Sequence, residues 1–82
     1  RDDSRIFVPV ELSGKAGRGV FEAVHRDPGA VIYWHLDGQY LATTRHIHQV
    51  ELYPVEGPHL LLLVDNRGEE LSRRFTVSGS RQ

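Results

Sequence analysis

Apolar and polar positions alternate with a period of two along most of the chain, and no long stretch keeps a helical period of 3.6. Ile6, Val8, Val10 and Leu12 alternate with Phe7, Pro9 and Glu11, which predicts a strand. Pro9 has no N–H to give a ladder, so this strand belongs at a sheet edge. Val20, Glu22 and Val24 then alternate with Phe21, Ala23 and His25. Turning Phe21 and Ala23 inward leaves Glu22 in water, although Val20 and Val24 make that face ambiguous. In the next segment Ile32, Trp34 and Leu36 share one face, and Val31, Tyr33 and His35 the other. Further strands are predicted over Gln39 to Thr43, Ile47 to Tyr53 with Val50 and Leu52 inward, His59 to Val64, and Leu71 to Val77. In the last, Leu71, Phe75 and Val77 point inward and Arg74 and Thr76 outward, while Arg73 shares the Leu71 face and marks the rim of the core.

Turn chemistry separates these segments. Ser13 to Gly19 holds three Gly in seven residues, and Arg26-Asp27-Pro28-Gly29, Pro54 to Pro58 and Asp65-Asn66-Arg67-Gly68 follow. Asp37-Gly38 is the sharpest signal, because a type I′ hairpin turn needs positive φ at both central residues. A Trp shortly before such a turn, with a Leu three residues after it, resembles the C–C′ hairpin of an immunoglobulin-like sandwich. The expected fold is therefore all-β, an immunoglobulin-like β-sandwich of about seven antiparallel strands. Ile32, Trp34, Leu36, Leu61, Leu63 and Phe75 are expected among its most buried side chains.

The totals narrow the function. The 82 residues predict a single domain spanning 1–82, with its core over about 5–78. The opening Arg-Asp-Asp-Ser, with no initiator Met, reads as a fragment of a longer protein. Nine Arg and one Lys against eleven acids give a formal net charge of −1, so no basic field points to a nucleic acid or an anionic membrane. There is no Cys, so packing alone must hold the core, without the inter-sheet disulfide of antibody domains. The longest apolar run, Leu60 to Val64, is far too short to insert in a membrane.

The five His are the first candidates for chemistry. His46 and His48 are two apart and would share a strand face, with His59 or His35 as a third zinc ligand. Against a metal enzyme stand the absence of Cys and of a helical H-E-x-x-H, and the plainer reading is half-exposed strand positions that pack and hydrogen-bond. No Ser lies in a G-x-S-x-G elbow, which leaves Ser4, Ser13, Ser72, Ser78 and Ser80 as loop and surface residues. Gly14-Lys15-Ala16-Gly17 is not a phosphate loop. No catalytic residue, cofactor or metal ligand is assigned. Tyr33 and Tyr40 are the surface aromatics that a carbohydrate-binding module would use on a sugar ring; Trp34, facing with Ile32 and Leu36, belongs to the core.

The run Leu60-Leu61-Leu62-Leu63-Val64 departs from plain alternation. It is apolar on both faces, as expected of a strand covered on both sides. Long side chains such as Arg73 and Arg74 are one such cover; a neighbouring domain or partner is the other. In a regular strand His59, Leu61, Leu63 and Asp65 share one face and Leu60, Leu62 and Val64 the other.

From Val20 onward the chain reads Phe21-Glu22-Ala23, Arg26-Asp27-Pro28-Gly29-Ala30, Tyr33-Trp34-His35-Leu36-Asp37-Gly38 and Tyr40-Leu41. It continues with Thr43-Thr44, Pro54, Gly57-Pro58-His59, Leu61, Val64-Asp65, Gly68 and Phe75-Thr76-Val77. In order and spacing this closely resembles the C-terminal domain of bifunctional, class A penicillin-binding proteins of the 1C type. The W-x-x-D-G-x-x-L and G-x-H-x-L-x-x-x-D-x-x-G elements carry most of that likeness. The H-x-L pattern of the family that the chain resembles implies that His59, Leu61 and Leu63 point inward with Asp65 at the turn, so that Leu60, Leu62 and Val64 lie outward beside Val31 and Tyr33. These five residues, Val31, Tyr33, Leu60, Leu62 and Val64, form the expected interaction surface. The resemblance implies a bacterial envelope protein whose parent has a membrane anchor, a glycan-polymerising domain and a penicillin-sensitive transpeptidase domain, and which builds peptidoglycan on the periplasmic side of the inner membrane. The present chain would be the non-catalytic accessory tail, docking on the parent's other domains or on another envelope protein, with peptidoglycan itself as the alternative ligand. The residues agree on the lack of catalysis. The transpeptidase needs S-x-x-K and K-T-G, but Lys15 is the sole Lys, Leu12 stands three residues before it and Ala16-Gly17 follow.

Overall fold

In a computed structural model, which describes Ile6–Phe7 and residues 18–78, the alternating segments form eight strands and no helix. They are β1 (Ile6–Phe7), β2 (Gly19–Glu22), β3 (Val24–His25), β4 (Val31–Leu36), β5 (Gln39–Arg45), β6 (Gln49–Leu52), β7 (Gly57–Asp65) and β8 (Glu70–Val77). The part of the expected edge strand that holds Pro9 and the loop residues before Arg18 lie outside the described residues.

One layer is a four-stranded antiparallel sheet in the order β5-β4-β7-β8. The other consists of the antiparallel pairs β1-β3 and β2-β6. β2 and β3 are one run interrupted at Ala23, whose N–H still donates to His48 O at 2.9 Å. Counted as one strand, they give the seven-stranded sandwich that the patterning predicts.

The alternation settles the faces. Ile6, Phe21, Ala23 and Leu52 from one layer pack on Ile32, Trp34, Leu61 and Leu63 from the other. Phe21, Ile32 and Trp34 are fully buried, whereas Val20 and Val24 are 37% and 39% exposed, so the ambiguous strand turns its Phe21 face inward. Full burial of side chains of this size stabilises by about 1.5–3 kcal/mol each, and this is the main force joining the layers. Leu36 and Phe75 are only half-buried, contrary to the expected core: both pack at its border, Phe75 with its ring 5.1 Å from that of Phe21.

The turns behave as their residues dictate. Asp37 (φ 51°) and Gly38 (φ 83°) both take positive φ and join β4 to β5. A register shift between Trp34 and His35 inserts Leu41 as an extra residue in β5, bringing Tyr40 opposite His35. The segment predicted over Ile47 to Tyr53 is shorter, with Ile47 and Tyr53 outside β6 and about 70% exposed (71% and 69%).

Candidate functional site

The outer face of the four-stranded sheet is the candidate, and its rows follow from the register. One row runs Thr43, Tyr33, Val64, Glu70; the next Tyr40, His35, Leu62, Ser72; the next ends in Leu60 and Arg74; the last pairs Pro58 with Thr76. Val31 lies opposite Arg45, beyond the Tyr33 row. Four of the five expected surface residues form an apolar strip: Tyr33 and Leu60 are 38% and 37% exposed, and Leu62 and Val64 half-buried. Val31 shares the face but is buried at 8%. Its N–H and C=O bond with Asn66 of the β7–β8 turn, which draws that turn against it. Tyr40, 61% exposed, meets His35 edge-on with ring centroids 5.9 Å apart and joins Thr43 Oγ1 at 2.7 Å. His35 Nδ1 is buried beneath this face without a hydrogen-bond partner.

The His residues do not converge. His46 and His48 sit in the β5–β6 connection rather than sharing a strand face, because β5 ends at Arg45 and His46 turns the chain with φ 65°. His46 is exposed and His48 buried. His35 lies on the outer face, and His59 at the end of the sheet beside the β4–β5 turn. Among the described residues no three His, Cys, Asp or Glu are grouped to hold a metal ion.

Three of the His instead tie strands together. His25 Nδ1 accepts the Asp27 N–H at 2.9 Å, so its Nε2–H donates to Asp65 Oδ2 at 2.8 Å. Asp65 also accepts the Arg67 and Glu69 N–H groups on Oδ1. Burial pushes the Asp65 carboxyl up, but the bonds from His25, Glu69 and Arg67 outweigh it and hold it below the carboxylate range. With both ring nitrogens of His25 engaged, this pair is a brace and has no free basic nitrogen to act as a general base.

Trp34 Nε1–H donates to Thr44 Oγ1 at 2.8 Å, leaving the Thr44 hydroxyl to donate to His48 Nδ1, also at 2.8 Å. Burial, then the neighbouring His25 and His46, hold His48 below the usual imidazole range, consistent with an accepting Nδ1.

His59 differs in charge. Its Nδ1 lies 2.6 Å from Asp37 Oδ2 and its Nε2 2.7 Å from Val55 O. Both partners are acceptors, so only the imidazolium donates to both. The Val55 carbonyl and then the Asp37 carboxylate raise the His59 pKa, and His59 with the Leu60 N–H lowers that of Asp37. A groove of 420 Å³ opens beside this pair, lined by Pro58, Leu60, Arg74, Phe75 and Thr76.

These braces leave the outer sheet face uncovered, as they do the exposed Val20, Val24, Ile47, Tyr53 and Val55 elsewhere. No curated protein and no solved structure matches the chain. A family model does, the Penicillin-Binding Protein C-terminus Family, over residues 1–75. That match spans most of the chain, and the chain belongs to the penicillin-binding protein C-terminus family.

Proposed function

We propose that this chain is the non-catalytic accessory module of a bifunctional, 1C-type peptidoglycan synthase, on the periplasmic side of the inner membrane. Its task is positioning. The outer face of the β5-β4-β7-β8 sheet docks on another domain of the parent or on a second envelope protein. The observation that carries this reading is the strip Tyr33, Leu60, Leu62 and Val64, apolar on the side of the sheet that the sandwich core does not cover. A wet antiparallel face is ordinarily polar, and aromatic and apolar side chains beside Arg45 and Arg74 make an interface composition.

The test is Leu62→Glu in the full-length parent. Leu62 is half-buried on the outer face, so the domain should stay folded while its association weakens. Unfolding would return Leu62 to the core and remove the docking face.

Tyr40, 61% exposed beside Tyr33 on the same face, favours a second reading as a peptidoglycan-binding surface. Titration with soluble muropeptides separates the two: amide shifts along β4 and β5 support glycan binding, and their absence supports protein docking.

A further inference from the structure

We infer that the outer sheet face also pairs with a second copy of this chain, an inference that rests on reading this face as an interaction surface. The observation is a charge pattern on β8. Glu70 and Arg74 are exposed, lie on the outer face and flank Ser72 on either side. Four residues of strand separate them by about 14 Å, too far for an ion pair within one chain. Their cross-strand neighbours on β7 are Val64 and Leu60, which offer no charge. Among the described residues the ion pairs are those of His25 with Asp65 and His59 with Asp37, and neither uses Glu70 or Arg74.

Two copies satisfy both charges at once. A two-fold axis parallel to the sheet, perpendicular to the strands and running above the row Tyr40, His35, Leu62, Ser72, midway between the two faces, exchanges the rows on either side. Glu70 of each copy then faces Arg74 of the other, and Val64 faces Leu60. Leu62 and Tyr40 lie on the axis row and meet their own counterparts. Such an isologous contact has an apolar middle and two ion pairs at its rim, and it closes at two copies. Two aligned sheet faces stack about 10 Å apart, within reach of these side chains. A face of four short strands is small, so the dimer is weak and half-formed at roughly 0.1–1 mM.

The test is sedimentation of the chain up to about 1 mM. The mass should rise toward that of two copies. Glu70→Arg and Arg74→Glu, both at exposed positions, should each weaken the dimer by roughly tenfold by opposing like charges. Combining them should restore it. A chain that stays monomeric throughout, or a double variant that fails to regain what each single one loses, overturns the inference. If the chain is monomeric while Leu62→Glu still loosens the full-length association, the dimer is refuted and the docking reading stands.

Discussion

His25 and Asp65 meet 2.8 Å apart across the two layers, their side chains 1% and 0% exposed, and so brace one end of the sandwich. The contact joins β3 of one layer to the end of β7 in the other. Asp65 also fixes the β7–β8 turn through the Arg67 and Glu69 N–H groups. With no disulfide between the layers, this polar contact adds to apolar packing in setting how they sit.

Asp65→Ala should cost about 3–5 kcal/mol, because it breaks a buried pair and strands two backbone donors. Urea unfolding of the single and paired variants with His25→Ala measures it. A double-mutant cycle with no coupling between the two positions would contradict the brace.

Trp34→Ala should cost about 3–5 kcal/mol, enough to unfold much of a domain this small. Thr44→Val is the finer probe. It keeps the shape at Thr44 but removes the oxygen that accepts from the buried Trp34 Nε1, for a loss of about 1–3 kcal/mol. The midpoint of unfolding tests both, and near-ultraviolet dichroism of the band of Trp34, the sole Trp, follows Thr44→Val.

Stability should follow the His59–Asp37 pair with pH. The raised His59 pKa gives stabilisation that is complete below its ordinary 6.5 and is lost as pH rises through the folded value. The lowered Asp37 pKa gives stabilisation present above 3.8 and lost as pH falls through its folded value. The pair is therefore strongest between these limits. His48 acts in the opposite sense: its pKa is lowered, so its share is present above 6.5 and fades as pH falls through the folded value. Melting curves of His59→Asn from pH 5 to 9 should lose the alkaline decline. NMR titration of the ring in the parent chain should place His59 above, and His48 below, an ordinary imidazole.

The fold was legible because its signals are local. The Asp37-Gly38 turn and the inward Trp34 follow from period-two patterning and turn chemistry. In the all-apolar run Leu60 to Val64 the period separates two faces, and the family's H-x-L pattern is what turns Leu61 inward and Leu62 outward. The braces were legible only in part. Extending the alternation Phe21, Ala23 by one step reaches His25, and extending Leu61, Leu63 reaches Asp65; a charged group on a core face needs a partner. Which His that partner is depends on how the two layers stack, and pattern along one strand does not encode it. The pairing of His46 with His48 failed for a local reason: positive φ at His46 ends the strand, and sequence alone seldom marks such a turn at a His. Burial of Val31 was hidden as well: its backbone bonds to Asn66, 35 residues away, in a turn that strand patterning does not place beside it.

A photo-crosslinking side chain at position 62 of the full-length protein, compared with one at position 51, tests the docking face most directly. Glu51 is exposed on β6, in the other layer of the sandwich. Crosslinks from 62 to another domain of the parent or to a second envelope protein, with none from 51, are the expected result. Crosslinks from 51 alone, or equal silence at both, would contradict the account.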